Sequence, residues 1–416
     1  MITPGRIRLA LLALALGGFG IGCTEFVAMG LLPNFASELL PGVYAVSPEE
    51  ANAQAGVLIS AYAAGVVVGA PTIAAVAARF SRKRLLLVLV AWFALANIAS
   101  ALLPGFGLVL LARFVAGLPH GAYFGIATLV AASLLGPGNV AKGAAYVLSG
   151  LSIANVIGVP AITWLGQQAG WRVAYFAVSA VFVLTFLALV AAIPPLPGTP
   201  GATVRGELRA FTVPQFWLAL AIGAIGFGGL FAAYTYIAPI VTDVSGLPEG
   251  AVPIALVCFG IGMVVGNFAG GAFADRGIER AVLVFFVGVL ASLIGLFFTA
   301  AIPALLFVFV FFIGATSSAL APAIQVRLMS VAGDSQTIAA AVNHSALNIG
   351  NASGAALGGL AISANLGYLS PIAVGIALTT AGLLLAIVAF TLDRRQRIPA
   401  DSRASLVDRS VPAAAE

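Results

Sequence analysis

Apolar residues in this chain come in unbroken runs, with no strict alternation of apolar and polar positions. Twelve runs can be marked, at residues 8–32, 54–77, 85–103, 107–132, 141–165, 173–193, 214–241, 251–273, 281–299, 303–326, 336–361 and 370–391. A helix needs about 20 such residues to cross a hydrocarbon core, and each run is of that order. A backbone in lipid must satisfy its own hydrogen bonds, so the runs predict helices. A membrane β-strand would alternate over about ten residues, which these runs do not. Breaks fall at turn signals such as Pro41-Gly42, Pro104-Gly105, Gly136-Pro137-Gly138 and Pro194-Pro195.

Composition agrees with that reading. Hydrophobic residues make up 61% of the 416 residues and charged residues only 8%. A soluble domain carries about 25% charged residues, so most of this surface is expected to face lipid. The net charge of +5 is spread over short loops, which argues against a nucleic-acid partner. Cys23 and Cys258 fall inside apolar runs and predict packed, unpaired thiols with no metal role. Arg6, Arg8 and the stretch ending Gly20-Ile21-Gly22-Cys23 loosely resemble a lipoprotein signal. The apolar run continues to Leu32, so a first membrane helix is expected instead.

Charge placement orients the chain. With the N-terminus in the cytoplasm, 17 of the 19 Lys and Arg residues lie inside. Arg172 lies outside and Arg113 lies within a run. The positive-inside rule therefore places both termini in the cytoplasm and favours an even helix count. The expected organisation is a six-helix bundle over 1–193, a cytoplasmic linker at 194–213, a second bundle over 214–391 and a polar, disordered tail at 392–416.

The two halves resemble each other. At an offset of 197, Gly65, Gly69, Arg79, Lys83, Phe114 and Gly117 map onto Gly262, Gly266, Arg276, Arg280, Phe311 and Gly314. At an offset of 196, residues 151–158 map onto 347–354, which pairs Asn155 with Asn351. A duplicated six-helix unit lets two bundles rock about a central site and so supplies alternating access. The glycines put small residues on one helical face and predict close packing. They are expected to act as sliding surfaces for the rocking.

Ionisable residues inside the runs are few, and such residues are costly in lipid. Glu25 and Arg113 both fall in the outer halves of their helices and can pair or share a cavity. Glu25 is the expected proton-coupling site, with a static ion pair or an interfacial carboxylate as the alternative. Arg113 either tunes Glu25 or bridges helices. His120, beside Pro119 and Gly121, either relays a proton or satisfies a kinked backbone. Tyr62, Tyr123, Phe124, Tyr146, Phe231, Tyr234 and Tyr236 are candidates to line a substrate cavity, with Asn155, Asn343 and His344 as polar anchors. Such pockets are mostly apolar with a few polar groups. The alternative for each aromatic is packing. No Walker loop, HExxH motif or cysteine ligand set occurs, so no enzyme, metal or cofactor is expected.

Several motifs resemble those of the major facilitator superfamily. The loop after the eighth run, with Gly271, Asp275, Arg276, Gly277 and Arg280, is similar to that family's loop signature. The copy after the second run is degenerate: Ala74, Ala78 and Ser81 replace its Gly, Asp and second Gly. Arg113 sits in a context like the family's embedded-arginine motif. Gly150 to Pro160 resembles its antiporter motif, with Val159 interrupting the Gly-Pro pair. Residues 24–33, 113–125 and 170–176 look like the twelve-helix drug:proton antiporter branch, among bacterial arabinose-efflux-like and chloramphenicol-resistance-like permeases.

The resemblance implies an all-α membrane protein with twelve helices in two pseudo-symmetric bundles, in a bacterial inner membrane. It implies efflux of small molecules, such as chloramphenicol-type antibiotics, against proton entry. The alternative is a sugar or nucleoside permease of the same fold. The expected partners are the substrate and the bilayer, and the expected state is a monomer driven by the proton gradient. The resemblance also implies a cytoplasmic latch. Ala78 cannot form it, so Asp334 is expected to reach Arg79, Arg82 or Lys83. Asp275 is expected to face Lys142 and the start of the fifth helix, where a helix N-terminus favours an anion.

Overall fold

Proline and glycine punctuate the chain where the apolar runs end. Gly105 (φ 77°) and Gly170 (φ 94°) sit in the left-handed region and turn the chain between helices. The computed structural model describes residues 3–77, 80–136, 138–194, 212–274, 276–332 and 336–408. Its long helices are α1 (Pro4–Gly30), α2 (Val57–Ala77) and α3 (Arg82–Leu102). Next come α4 (Phe106–Gly117 with His120–Leu135), α5 (Val140–Ile153, a π-helical turn at Ala154–Gly158, then Val159–Ala169) and α6 (Trp171–Ala192). The second half holds α7 (Pro214–Thr235), α8 (Ala251–Ala274), α9 (Ile278–Thr299), α10 (Pro303–Val331), α11 (Gln336–Ser363) and α12 (Ser370–Asp408).

Eleven helices among the described residues are long and apolar enough to cross a membrane. The twelfth, α11, has 28 residues and is also long enough. It is more polar because Asn343, Ser345, Asn348 and Asn351 are buried against protein, away from lipid. The helices form two six-helix bundles. For orientation, the end of the molecule where α1 starts is called the base and the opposite end the crown.

Two breaks show the duplication in the backbone itself. α1 ends at Leu31 (φ −107°, ψ 16°) and α7 ends at Tyr236 (φ −104°, ψ 22°). Both chains then resume as short helices, Leu32–Leu39 and Ile237–Pro239. Pro33 and Pro239 lack the N–H that would continue a regular ladder. The π-helical turn of α5 has a related cause, since Pro160 removes the amide that Val156 would otherwise receive.

Two expectations are corrected. The glycine faces do not lie between the bundles. A Cβ on Gly65 would lie 2.1 Å from the Phe114 carbonyl oxygen, and one on Gly314 would lie 2.3 Å from that of Phe259. Glycine thus joins α2 to α4 and α8 to α10 inside each bundle, where backbones approach too closely for any side chain. The expected disordered tail is also shorter, because α12 continues to Asp408. Its extension begins with Arg394, Arg395, Gln396 and Arg397, which are good helix formers.

Candidate functional site

Arg113 is 1% exposed and lies at the centre of the first bundle. It donates to the Thr24 hydroxyl at 3.2 Å and to the Thr24 backbone carbonyl at 2.9 Å. The Thr24 hydroxyl in turn donates to Asn97 Oδ1 at 2.6 Å, and the Asn97 amide donates to Phe93 O at 2.8 Å. The guanidinium lies over the Tyr62 ring at 4.5 Å and the Tyr175 ring at 5.2 Å. Those π-faces stabilise a desolvated cation. α1, α2, α3, α4 and α6 therefore converge on one charge.

Glu25 is 7% exposed and follows Thr24 on α1. Arg113 makes no ion pair with it among the described residues. The guanidinium is held by the preceding residue, so of the two expected arrangements the direct pair is not formed and Arg113 is a neighbouring charge. The carboxylate instead accepts a hydrogen bond of 3.3 Å from the Asn351 amide of α11, in the second bundle. Asn351 escaped the sequence-based selection of site residues. The available signal was its repeat relation to Asn155.

Closer to the base, Tyr62 lies 3.0 Å from His120 Nδ1. The His120 ring is 5.3 Å from Phe124 and 6.1 Å from His344. Phe124 and His344 stack at 5.5 Å with planes 5° apart. His120 and Phe124 belong to α4 and His344 to α11, so this cluster bridges the bundles. On the other side Tyr234 stacks on Phe259 at 3.9 Å and meets Phe26 edge-on at 6.1 Å. Phe231 is buried one turn away on α7, and Asn343 is buried beside His344.

The amide oxygens of Asn155, Asn348 and Asn351 are buried with no protein partner. The arrangement offers aromatic faces, two imidazoles and several acceptors between two bundles. It suits a ligand with a flat apolar part and a few hydrogen-bond donors.

Other expected cavity residues are placed elsewhere. Tyr123 donates to Leu14 O at 2.8 Å and Tyr236 to Ala355 O at 2.8 Å, each within its own bundle. Tyr146 is exposed on α5. Of the latch residues, Arg79, Asp275 and Asp334 lie outside the described residues. Lys83 donates to Val190 O at 2.9 Å and also to Ile193 O, which ties α3 to α6 within one bundle. Arg276 turns back on Ala272 O at 3.4 Å and Phe273, while Lys142 and Arg280 are exposed. Arg82 opens α3 at the base.

Between described residues, cross-bundle hydrogen bonds lie at the level of Glu25 or towards the crown. Asn52 donates to the Tyr368 hydroxyl at 2.7 Å and Ser60 to Ala352 O at 3.0 Å. Gln167 donates to Glu249 O at 3.0 Å. Gly260 of α8 lies so close to α5 that a Cβ would sit 2.3 Å from Asn155 O. The crown is therefore closed.

Two bundles of six helices, matched kinks and a polar cluster between them are the architecture of a membrane transporter. The family comparison agrees: the model of the Major Facilitator Superfamily matches residues 14–302 and 246–413. The chain belongs to that superfamily. It is 38% identical over 363 residues to the inner membrane transport protein YdhP of Escherichia coli (strain K12), covering 87% of this chain and 91% of YdhP. It is 33% identical over 383 residues to the chloramphenicol resistance protein of Streptomyces lividans, covering 91% and 94%. Among solved structures, the D-xylose-proton symporter shares the fold at a TM-score of 0.73 with 16% identity, covering 92% and 97%.

Proposed function

We propose that this transporter exports small, moderately apolar molecules in exchange for protons, acting as a monomer in a bacterial inner membrane with its base towards the cytoplasm. The observation that carries the reading is Glu25, a buried carboxylate bonded across the bundle interface to Asn351. A carboxyl inside a membrane protein is costly unless it works, and proton relay is a common use. The basic residues grouped at the base support the orientation.

In this reading, a proton enters from the crown side and neutralises Glu25. Closure of the crown then returns the carboxyl to Asn351, with Arg113 held nearby by Thr24, and the proton leaves towards the base. Substrate occupies the space between Phe124, His344, Tyr234 and Phe259. Unpartnered asparagine oxygens receive its hydroxyl or amide donors. Chloramphenicol-type compounds combine an aromatic ring with such donors, and the chloramphenicol resistance protein is a relative over most of its length.

The test is a susceptibility panel in a pump-deleted host, with everted vesicles under an imposed pH gradient. Chloramphenicol should be extruded by the wild type and not by Glu25→Gln. Extrusion by Glu25→Gln that still follows the gradient removes Glu25 from the mechanism. Uptake in place of extrusion reverses the direction.

A further inference from the structure

We propose that Asn351 is a positioning residue for coupling: its amide reads the charge of Glu25 from the opposite bundle and makes crown closure depend on that charge. The proposal rests on the reading of Glu25 as the coupling carboxyl.

Three observations converge on Asn351. Its Nδ2 is 3.3 Å from Glu25 Oε1, and the two residues lie 326 positions apart on different bundles. It is 1% exposed, so little water competes for the bond. Its own Oδ1 has no protein partner, so the amide is not held by a competing bond on that side.

The repeat supplies the contrast. Asn155 occupies the equivalent place in the first bundle and is equally buried. The matched breaks at Leu31 and Tyr236 align Glu25 with Leu230 of α7. Asn155 therefore has no acid at the symmetric position. Its amide turns back to Leu151 O at 3.0 Å within α5. One fold position, occupied twice by asparagine, bonds across the interface only where the opposite helix carries a carboxyl.

An N–H donated to a carboxylate favours its ionised form. That bond exists only while the bundles meet at this level. Closing the crown also takes water from Glu25, which favours the neutral acid, so the Asn351 bond lowers the cost of enclosing an ionised Glu25, and an ionised Glu25 strengthens the contact that Asn351 makes across the interface. The two effects are one coupling free energy seen from its two ends.

The surrounding groups do not duplicate this role. Arg113 on α4, Tyr62 on α2 and Tyr175 on α6 form the charged and phenolic surroundings, with His120 further along α4. All of these belong to the same bundle as Glu25; of them His120 meets the second bundle, at the His344 ring, and none of them carries a hydrogen bond from Glu25 across the interface. His344 on α11 and Cys258 on α8 come from the second bundle, and neither hydrogen-bonds Glu25 among the described residues. His344 stacks on Phe124 instead.

The experiment is pulsed-EPR distance measurement on the full chain in nanodiscs, between labels at Val46→Cys and Leu366→Cys in a Cys258→Ser background. Both labelled positions are exposed at the crown, one on each bundle. The wild type should shift from crown-closed to crown-open as pH rises from 5 to 9. Asn351→Leu should move that midpoint to lower pH by about one unit, the scale of one hydrogen bond to a charged group. Asn351→Gln, which keeps the amide, should recover at least half of the shift. Glu25→Gln should abolish the pH response and leave Asn351→Leu without further effect.

An unchanged midpoint in Asn351→Leu, with the wild type still responding, overturns the role of Asn351 alone. A wild type whose distance ignores pH overturns the coupling reading as well. Thermal melting of each variant separates these outcomes from misfolding, because a merely structural asparagine would lower the melting temperature and leave the midpoint in place.

Discussion

Arg113 holds Thr24 by its hydroxyl and by its backbone carbonyl, one residue before the carboxylate of Glu25. The cation therefore fixes the helix that carries the acid without neutralising the acid directly. This arrangement uses the guanidinium's planar fork, which a lysine lacks. Arg113→Lys should be no better tolerated than Arg113→Met. Each should destabilise the protein by about 2–4 kcal/mol, through unpaired buried groups and lost ring contacts. Thermal shift of detergent-purified protein checks this. A wild-type melting temperature in Arg113→Lys would show that charge alone suffices.

The crown contact between Asn52 and Tyr368 is neutral, and Tyr368 lies outside the membrane spans, between α11 and α12. Burial pushes its hydroxyl up to about 12, only partly offset by the bond from Asn52. A tyrosine freed by opening ionises near its ordinary value of about 10. Above that pH the open form gains and the closed form does not, so alkali favours opening. Between pH 5 and 9 both forms stay neutral and this contact does not respond. Tyr368→Phe should raise the reactivity of a cysteine at Ser60 towards an impermeant maleimide several-fold, equally at pH 6 and 8. A rise confined to one pH would contradict the assignment.

Much of the fold was legible in the chain because each crossing demands its own apolar run, and that demand is local. The twelve runs match the spanning helices, α11 included, although its buried asparagines make it the most polar. The glycine faces were legible as faces, but their partners were not. Spacing tells which residues share a side of α2, whereas only the tertiary arrangement tells that Phe114 of the same bundle covers it. The same reason hid Asn351. Glu25, Arg113 and His120 stood out as rare charges in apolar surroundings, while an asparagine among several on one helix carries no mark of facing a carboxyl 326 residues away.

The intrabundle glycines give a test with an internal control. Gly65→Val and Gly314→Val place side chains where a Cβ would already lie 2.1 Å and 2.3 Å from backbone oxygens. Both should lose monodisperse protein in fluorescence-detected size exclusion. Gly125→Ala meets nothing within 4 Å and should behave as wild type. Normal profiles for the valine variants would mean that α2 and α4, or α8 and α10, part readily.

At the base of the second bundle, Arg327 pairs with Asp393 at 2.6 Å, bonds Gln215 at 3.2 Å and lies 5.1 Å from the Phe390 ring centre. The pair joins α10 to α12, with α7 alongside, in a largely buried setting. Arg327→Met strands the carboxylate and should cost about 3–5 kcal/mol. Replacing both partners, as Arg327→Met with Asp393→Leu, should recover most of that loss. Unfolding midpoints of the single and double variants measure the difference.

The glycine contacts have a mechanical consequence. Where backbone rests on backbone, no compressible layer of side chains lies between α2 and α4 or between α8 and α10. Each bundle then behaves as a stiff lever whose length is that of its helices, about 40 Å at 1.5 Å per residue. A small angular yield at one end is delivered undamped to the other. Loss of a few weak hydrogen bonds around Asn52 and Ser60 can therefore appear as a wide displacement at the far ends of the same helices.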